Sequence, residues 1–507
     1  MNLLSALDWI VIILYLAGII GLGVWLGRGQ KTTRDYFLGG RDISWWGVGF
    51  SIVATETSAL TFIGVPAIAF AGDFAFIQII IGYVIARVIL AIVMVPHYFK
   101  GDVYSPYQLF QQAFGSGAKR TVAVFFLIAG TLAAGVRVYA TCIPIEIMLR
   151  DVFPWNPIVM AIIFFVGLSL IYTYFGGIRA VVWTDAVQLV LLIGGGVFTL
   201  IYLAGFDGAG WVYLKENAPE KLNWFNSGFS WEMPFNIWMG VIGGTFQVMS
   251  SHGVDQLNVQ RILSCRSMNE GRKALTLSAV LILPMFLLFL FVGGLLWSYA
   301  QVYGLEVPLD DDGKVKNLHA LPLFILTVMP AGMKGLLIVG ICAAAMSSVS
   351  SALSALASVS TMDLLKEIKG DRSDGWYLQF SKRITLVWGL ILIVVACGCI
   401  GHDKVITLAF SLAGLTSGAM LGGLLLVLWW KRGSSLPVVT GMFASLGGMT
   451  LIKIATAYEL LALAIAWPWY TMIGCAICIL VAILVRAAQG VEVKRGVGRG
   501  TGGEGKT

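Results

Sequence analysis

Long apolar runs restrict most strongly what this chain can fold into. A helix needs roughly 20 apolar residues to cross the hydrocarbon core of a bilayer, which is about 30 Å thick. The runs are too long and continuous for the alternating strands, each of roughly ten residues, that build a membrane β-barrel. We therefore predict an all-α integral membrane protein with 13 transmembrane helices, at 7–27, 44–71, 74–98, 119–149, 157–175, 181–204, 235–257, 275–302, 335–364, 379–400, 404–430, 436–457 and 459–486.

The composition agrees with a membrane protein and excludes several other classes. Apolar residues make up 58% of the chain and charged residues 12%, whereas a soluble domain carries roughly 25% charged residues. The 60 glycines are typical of closely packed membrane helices. These values argue against a soluble enzyme, a disordered chain and a disulfide scaffold. The net charge of +7 is interpreted as basic inner loops, not as affinity for nucleic acid.

The distribution of basic residues predicts the orientation in the membrane. With the N-terminus outside, 24 of the 34 Lys and Arg residues fall in inner segments, seven in outer segments and three inside spans. Cytoplasmic loops carry an excess of Lys and Arg. We therefore expect the N-terminus outside and the C-terminus inside. The short loops and the lack of a targeting leader favour a multi-pass protein of the bacterial inner membrane.

Two of the predicted spans are poor continuous helices. The span 44–71 has Glu56 amid Thr and Ser, with Pro66 further on, and the span 235–257 has Gly243-Gly244 and Ser250-Ser251. Broken helices at corresponding positions of two halves indicate a midplane site in secondary transporters. Each broken span opens a block of five spans, and because five is odd, the second block must be inverted. The predicted segments are 1–43 (extra helix and inner loop), 44–204 (first repeat), 205–234 (outer loop), 235–430 (inverted repeat), 431–486 (two further helices) and 487–507 (disordered cytoplasmic tail).

Polar residues at membrane depth are costly and therefore candidates for function. Ser347, Ser350, Ser351 and Ser354 follow an i, i+3, i+4, i+7 spacing, which puts them on one face of a helix. Such a stripe is either a small-residue packing face or a set of hydroxyl ligands for a hard cation such as Na+. Asp185 is either a helix N-terminal carboxylate stabilised by the helix dipole or a ligand or proton acceptor on an ion route.

Four segments carry a resemblance to a known family. They are YFLGGRDISWWGVGFSIVATETSALTFIGVPAIAF (36–70), GGIRAVVWTDAVQ (176–188), DQLNVQRILSCRSMNEGRKA (255–274) and AAAMSSVSSALSALASVSTMDL (343–364). Together they resemble the sodium/solute symporters, the relatives of bacterial sugar, proline and sialic acid symporters. The resemblance implies a LeuT-type inverted five-helix repeat, Na+ as the coupling ion and alternating access.

The resemblance also implies three sets of site residues. The common Na+ site would use the carbonyls of Ala54, Thr57 and Ala344 and the hydroxyls of Ser347 and Ser348. A second Na+ site, giving two Na+ per cycle, would use Asp185, Ser347, Ser350 and Ser351. The substrate region would comprise Glu56, Ser58, Thr61, Phe74, Gln78, Arg137, Gln247 and Ser251.

The substrate prediction depends on the partner of Arg137, which matches the carboxylate-binding Arg of the sialic acid branch. A guanidinium is the expected partner for a carboxylate at membrane depth. Glu56 departs from that branch, which has a neutral hydroxyl residue there. If Glu56 pairs with Arg137, the pocket suits a neutral sugar, a polyol or a zwitterion; otherwise Arg137 stays free for a carboxylate. We predict uptake of a sialic acid or another carboxylated sugar, with a neutral sugar, a monocarboxylate or an amino acid such as proline as the alternative.

Other function classes fit the sequence less well. An H+-coupled symporter using Glu56 or Asp185 would leave the serine stripe without a purpose. A channel would need a repeated selectivity filter, and an enzyme would need clustered ligands or a nucleophile with its base, whereas the four histidines are scattered. We therefore expect no enzymatic activity and no obligate protein partner. The expected partners are the solute, Na+ and the lipid bilayer.

Overall fold

The computed structural model describes residues 4–149, 155–233, 235–309, 313, 315–370, 372–400, 403–458 and 465–490, and within these ranges the fold is helical apart from two isolated β-bridges. The predicted tail lies, from residue 491 on, outside the described residues. The α-helices are α1 (Ala6–Leu26), α2 (Thr33–Leu38), α3 (Trp45–Glu56), α4 (Ala59–Ala71), α5 (Ile77–Val93), α6 (Val95–Tyr98), α7 (Tyr107–Phe114), α8 (Ser116–Leu149), α9 (Pro157–Ala204), α10 (Trp211–Asn217), α11 (Gly244–Gly253), α12 (Gln256–Leu263), α13 (Met268–Tyr303), α14 (Ala320–Thr327), α15 (Met333–Ser358), α16 (Lys366–Lys369), α17 (Asp374–Cys397), α18 (Asp403–Trp430), α19 (Ser435–Ala457) and α20 (Tyr470–Ala488). Short 3₁₀ turns occur at Gly39–Arg41, Pro219–Leu222, Asn317–His319 and Trp467–Trp469, and π-helical turns at Met239–Gly243 and Val359–Leu365.

The helices confirm the all-α membrane class. Over the described residues, eight helices are long and apolar enough to cross a membrane, or nine if one bent pair counts as a single span. Three shorter apolar helices, Ile77–Val93, Asn317–Thr327 and Gly414–Trp430, fall below that length. The count of 13 spans and the orientation stay predictions.

One glycine interrupts the longest helical element, α9. This element covers two predicted spans, 157–175 and 181–204, and its backbone leaves the helical region at Gly177, where φ is +53°. A side chain there would be strained, and its Cβ would lie 2.5 Å from the Tyr36 carbonyl oxygen. In the structure, the two predicted spans are therefore parts of one helical element that is interrupted only at Gly177.

The first predicted break is confirmed, at the junction of α3 and α4. Thr57 has φ −87° and ψ +85°, and Ser58 is extended. The two helices are bent by 56°. Thr and Ser side chains compete for backbone hydrogen bonds, which makes a helix easy to interrupt at such residues.

The second predicted break, in the middle of the span 235–257, is wrong in its position. The backbone continues through the π-helical turn Met239–Gly243 into α11 and leaves the helix only at Val254, where φ is −126°. The glycines of this segment instead allow close packing: a Cβ on Gly82 of α5 would lie 2.1 Å from the Gly240 carbonyl oxygen. A Cβ on Gly240 would in turn lie 2.3 Å from the carbonyl oxygen of Gln78.

The serine-rich helix α15 lies at the centre of the molecule. Every residue from Leu337 to Ser358 is buried. The helix packs against α9, α8, α1 and α17 and, less extensively, against α3, α12 and α4. The serine stripe therefore faces protein, and its hydroxyls must find partners within the protein or in a bound ligand.

Candidate functional site

The break between α3 and α4 takes away the regular helical hydrogen-bond donors of two backbone carbonyls. The Ser58 N–H donates to the Glu56 oxygen at 3.2 Å, not to the Ala54 oxygen as in a regular helix. The Thr61 N–H likewise donates to Ser58 at 2.9 Å instead of to Thr57. Ala54 and Thr57 are the two residues of this break that the sequence assigns to the common Na+ site. Unwound carbonyls of this kind are cation ligands in transporters.

A small internal cavity lies beside these carbonyls. Its volume is about 10 Å³, which is close to the size of one water molecule or a small ion. Ala54, Thr57, Ala344 and Ser347 line it, together with Gln188, Leu189 and Leu192. The structure thus brings together four of the five residues predicted for the common Na+ site. Ser348 is buried next to the cavity without lining it, and its hydroxyl donates to the Ala344 oxygen at 3.3 Å.

Two buried oxygen atoms close to this cavity have no hydrogen-bond partner of normal geometry. They are Ser347 Oγ and Asp185 Oδ1, and their side chains interact with each other. Ser350 and Ser351 donate their hydroxyls to the Ser347 carbonyl at 3.1 and 2.6 Å. A buried carboxylate oxygen and a buried hydroxyl that have no partner except each other are suitable ligands for a hard cation.

The other carboxylate oxygen of Asp185 is fully engaged. Asp185 Oδ2 accepts hydrogen bonds from Ser51 Oγ at 2.6 Å and from the Arg261 guanidinium at 2.9 Å. Arg261 also donates to Ser51 Oγ at 2.8 Å and to Ser351 Oγ. Asp185 and Arg261 are both almost completely buried. The predicted second Na+ site therefore contains a protein cation.

Sequence reasoning counted Arg261 among the inner-loop cations and assigned it no role. The sequence does contain a signal for such a role, because a carboxylate at membrane depth, such as Asp185, requires a partner. Arg261 lies in the segment 255–274, one of the four that carry the family resemblance. Which of the inner cations reaches Asp185 depends on the tertiary fold.

Glu56 pairs with a different arginine from the one considered in the sequence. The Arg87 guanidinium donates to Glu56 Oε2, and it also donates to Ser278 Oγ at 3.2 Å and to the Tyr83 oxygen at 3.0 Å. His252 Nε2 lies 3.4 Å from the same guanidinium. Of the alternatives that the sequence leaves open for Glu56, pairing with Arg137 is not the one formed, because Arg87 on α5 is its partner.

Arg137 lines a larger cavity of about 670 Å³, within the range of small-molecule sites. Gln247 and Ser251 of α11, Asp255, and residues of α18 and α20 also contribute to its walls. In the described part of the chain no side chain forms a hydrogen bond or an ion pair within 4 Å with Arg137, but the Asp255 carboxylate on the wall of the same cavity interacts with it electrostatically. Three predicted substrate residues, Arg137, Gln247 and Ser251, therefore share one cavity.

The other predicted substrate residues lie outside that cavity. Gln78 donates to the Phe235 oxygen at 2.8 Å and accepts from the Asn226 N–H at 3.1 Å, so backbone groups of two neighbouring segments satisfy it. Phe74 packs against Phe291, with ring centroids 5.5 Å apart. Thr61 donates to the Glu56 oxygen at 3.4 Å. Ser58, which is buried, precedes the first residue of α4.

A lysine from the outer loop anchors the end of α4. Lys221 Nζ donates to the carbonyl oxygens of Phe70 and Gly72 at 2.9 and 3.1 Å and lies 5.0 Å from the Trp297 ring. Burial lowers the pKa of Lys221, while the nearby Glu220 and Asp73 oppose that shift. A cation at a helix C-terminus is stabilised by the helix dipole. Lys221 therefore holds α4 at its C-terminal end.

Comparison with known proteins identifies the class. The model of the sodium:solute symporter family matches residues 36–445. The chain is 28% identical over 463 residues to the sodium/sialic acid symporter NanT of Aliivibrio fischeri, covering 89% of this chain and 88% of the relative. It is 30% identical over 450 residues to the sodium/sialic acid symporter SiaT of Proteus mirabilis, covering 87% and 88%.

A solved structure supports the same class. A Na+-coupled sialic acid symporter in a substrate-bound, outward-open state superposes with a TM-score of 0.85 at 27% identity, covering 97% of this chain and 99% of that one. The nucleobase-cation symporter Mhp1 superposes with a TM-score of 0.56 at 13% identity, a likeness of fold alone. This chain belongs to the sodium:solute symporter family. It is a multi-pass membrane transporter with a LeuT-like fold, and Na+ is its coupling ion.

Proposed function

We propose that this protein imports a carboxylated sugar, with a sialic acid as the first candidate, across a bacterial inner membrane. The observation that carries the proposal is Arg137, a guanidinium on the wall of a 670 Å³ cavity. Glu56 is paired with Arg87, and Asp255 interacts with Arg137 electrostatically but forms no ion pair with it within 4 Å, so Arg137 would bind a carboxylate of the solute. Gln247 and Ser251 would supply hydrogen bonds to the hydroxyl groups of a sugar. The two sialic acid symporters among its relatives support this choice.

We assign the common Na+ site to the small cavity beside α15. Na+ would bind the carbonyls of Ala54, Thr57 and Ala344 and the hydroxyls of Ser347 and Ser348. The carbonyls that lose their regular helical donors at the α3/α4 break support this assignment, as does Ser347 Oγ, which has no partner except Asp185. A second Na+ would bind Asp185 with Ser347, Ser350 and Ser351, which gives two Na+ per cycle.

The proposed topology has 13 spans, with the N-terminus outside and the C-terminus inside. Residues 44–204 and 235–430 would form two five-helix repeats of opposite orientation, with the substrate and Na+ sites between them. Residues 1–43 add one helix and residues 431–486 add two. The inward excess of basic residues supports this orientation.

The location of the common site provides a mechanism for coupling. Na+ would bridge the broken helix to α15 and so fix the geometry of the α3/α4 junction. Glu56, at the same junction, is connected through Arg87 and His252 to Ser251, which lines the large cavity. Na+ binding would therefore order one wall of the solute cavity and raise the affinity for the solute. The solute must raise Na+ affinity by the same factor.

The test is thermal unfolding of the purified protein in NaCl and in KCl at fixed ionic strength. The panel comprises a sialic acid, a monocarboxylate, a neutral sugar and proline. A ligand that binds the native state alone raises the melting temperature. We expect the sialic acid to stabilise the protein in NaCl only. Stabilisation by neutral sugars or proline alone would overturn the solute assignment, and equal effects of Na+ and K+ would overturn the ion sites.

A further inference from the structure

The Arg261 guanidinium forms an ion pair with Asp185, which is the carboxylate of the proposed second Na+ site. We propose that Arg261 acts as an internal cation that competes with the second Na+, so that this ion binds only when the arginine withdraws. The inference depends on the proposed function, because it assumes that Asp185 is a Na+ ligand. It adds a specificity-determining residue and a regulatory step to that site.

The first argument comes from charge. Arg261 and Asp185 are 1% and 0% exposed, and 2.9 Å separate the guanidinium from Asp185 Oδ2. In this arrangement one buried carboxylate is neutralised by one buried cation. A Na+ added to the same carboxylate would bring an unpaired positive charge into the protein interior, which is strongly unfavourable. The two cations therefore exclude each other.

The second argument comes from the unsatisfied oxygens. Arg261 engages Oδ2 of Asp185 and the Ser351 hydroxyl, but it makes no contact with Asp185 Oδ1 or Ser347 Oγ, which have no partner except each other. A purely structural ion pair usually satisfies both carboxylate oxygens, because unsatisfied buried acceptors are costly. The guanidinium thus fills only part of the ligand set, and the unfilled part adjoins the common Na+ site.

The third argument comes from the helix that carries the arginine. On α12, Gln256 and Gln260 donate to the hydroxyls of Ser358 and Ser354 on α15, at 3.2 and 3.1 Å. Together with Arg261–Ser351, these contacts form what we name the α12 ladder, a row of side-chain bonds along the second half of the serine helix. Withdrawal of Arg261 removes the member of this ladder nearest to Asp185. Binding of the second Na+ is thereby linked to loosening of α12.

The decisive experiment measures binding without transport. Wild-type protein, R261Q and the double variant D185N/R261Q are unfolded thermally over a series of Na+ concentrations, with K+ keeping the ionic strength fixed and no solute present. In R261Q, Asp185 is left unpaired, so the melting temperature falls in K+. The Na+ concentration for half-maximal stabilisation falls roughly fivefold or more, in the range of coupling factors between sites.

The double variant is the matched control. It removes both charges and retains the common site, so its melting temperature in K+ returns toward the wild-type value and the extra Na+ response disappears. An equal loss of stability in Na+ and in K+ for R261Q, with the Na+ midpoint unchanged, would overturn the inference. If Na+ does not stabilise even the wild-type protein, the proposed Na+ sites fail instead.

A second measurement covers the case in which R261Q does not fold. Hydrogen exchange of the α12 amides is followed in the wild-type protein, with and without Na+, by mass spectrometry. We expect Na+ to accelerate exchange in α12 while it slows exchange at the α3/α4 junction. Slower or unchanged exchange of α12 in Na+ means that Arg261 does not withdraw, and the inference is then wrong.

Discussion

The surroundings of Ser347 and of Arg137 differ in the size of the cavity that each residue lines. Ser347 lines a cavity the size of a single ion, together with Ala54, Thr57 and Ala344. Around Arg137, polar side chains are spread over the walls of a cavity about 670 Å³ in volume. The first geometry leaves little room for variation in the ligand, whereas the second accepts many shapes. An ion site of this kind can therefore be combined with solute cavities that bind different molecules.

The strongest test of this contrast is the partner of Glu56. E56Q leaves the buried Arg87 without its counter-charge, and we expect it to reduce the free energy of unfolding by about 3–5 kcal/mol. Adding R87M should recover much of that loss, because both charges are then absent. The measurement is thermal or denaturant unfolding in detergent. If R137M rescues E56Q and R87M does not, Glu56 belongs to the solute cavity and the contrast between the two regions fails.

The next effect concerns the geometry of Arg137. R137K keeps the positive charge but loses the planar guanidinium, which can form two parallel hydrogen bonds with a carboxylate. We therefore expect the apparent affinity for a carboxylated sugar to fall about tenfold or more. Isothermal titration in NaCl checks this. The matched ligand is the same sugar with its carboxylate converted to an amide, which should bind both proteins about equally. An equal loss for both ligands would mean that Arg137 only supports the cavity wall.

A smaller effect separates two neighbouring serines. Ser347 lines the small cavity and Ser348 does not. We expect S347A to raise the Na+ concentration for half-maximal stabilisation about tenfold, equivalent to the loss of one ligand worth about 1.4 kcal/mol. S348A should raise it less. Equal effects would show that both hydroxyls reach the ion when Na+ is bound.

The smallest expected effect is at Gln78, whose amide is satisfied by backbone groups of two neighbouring segments. Q78M should lower stability by about 1–3 kcal/mol, because these two backbone groups lose their partner. The affinity for the solute should change by less than about twofold, within the usual additivity error for separate sites. A large loss of solute affinity with unchanged stability would show that Gln78 contacts the solute.

The sequence predicted local features well and long-range pairings poorly. The serine spacing on α15 and the Thr-Glu-Thr-Ser break after α3 follow from rules that act within a few residues, and both are present in the structure. The partner of Glu56 could not be predicted in this way, because Arg87 and Arg137 lie on different helices and either could have reached it. The same holds for Arg261 and Asp185, which are 76 residues apart.

The segment 235–257 shows a different limit. Its glycines were interpreted as a weak helix, since glycine is a poor helix former in isolation. In the structure the same glycines allow α5 and the π-helical turn to approach backbone to backbone. Sequence alone does not distinguish a glycine that interrupts a helix from a glycine that allows a close helix–helix contact. The difference depends on whether a neighbouring helix packs against that glycine.

That close approach has a mechanical consequence. Gly82 and Gly240 leave no layer of side chains between α5 and the π-helical turn, and side chains are what allow two packed helices to slide by changing rotamers. We therefore expect these two elements to move together as one rigid body during any rocking motion. A methyl group at either glycine would separate this rigid body into two.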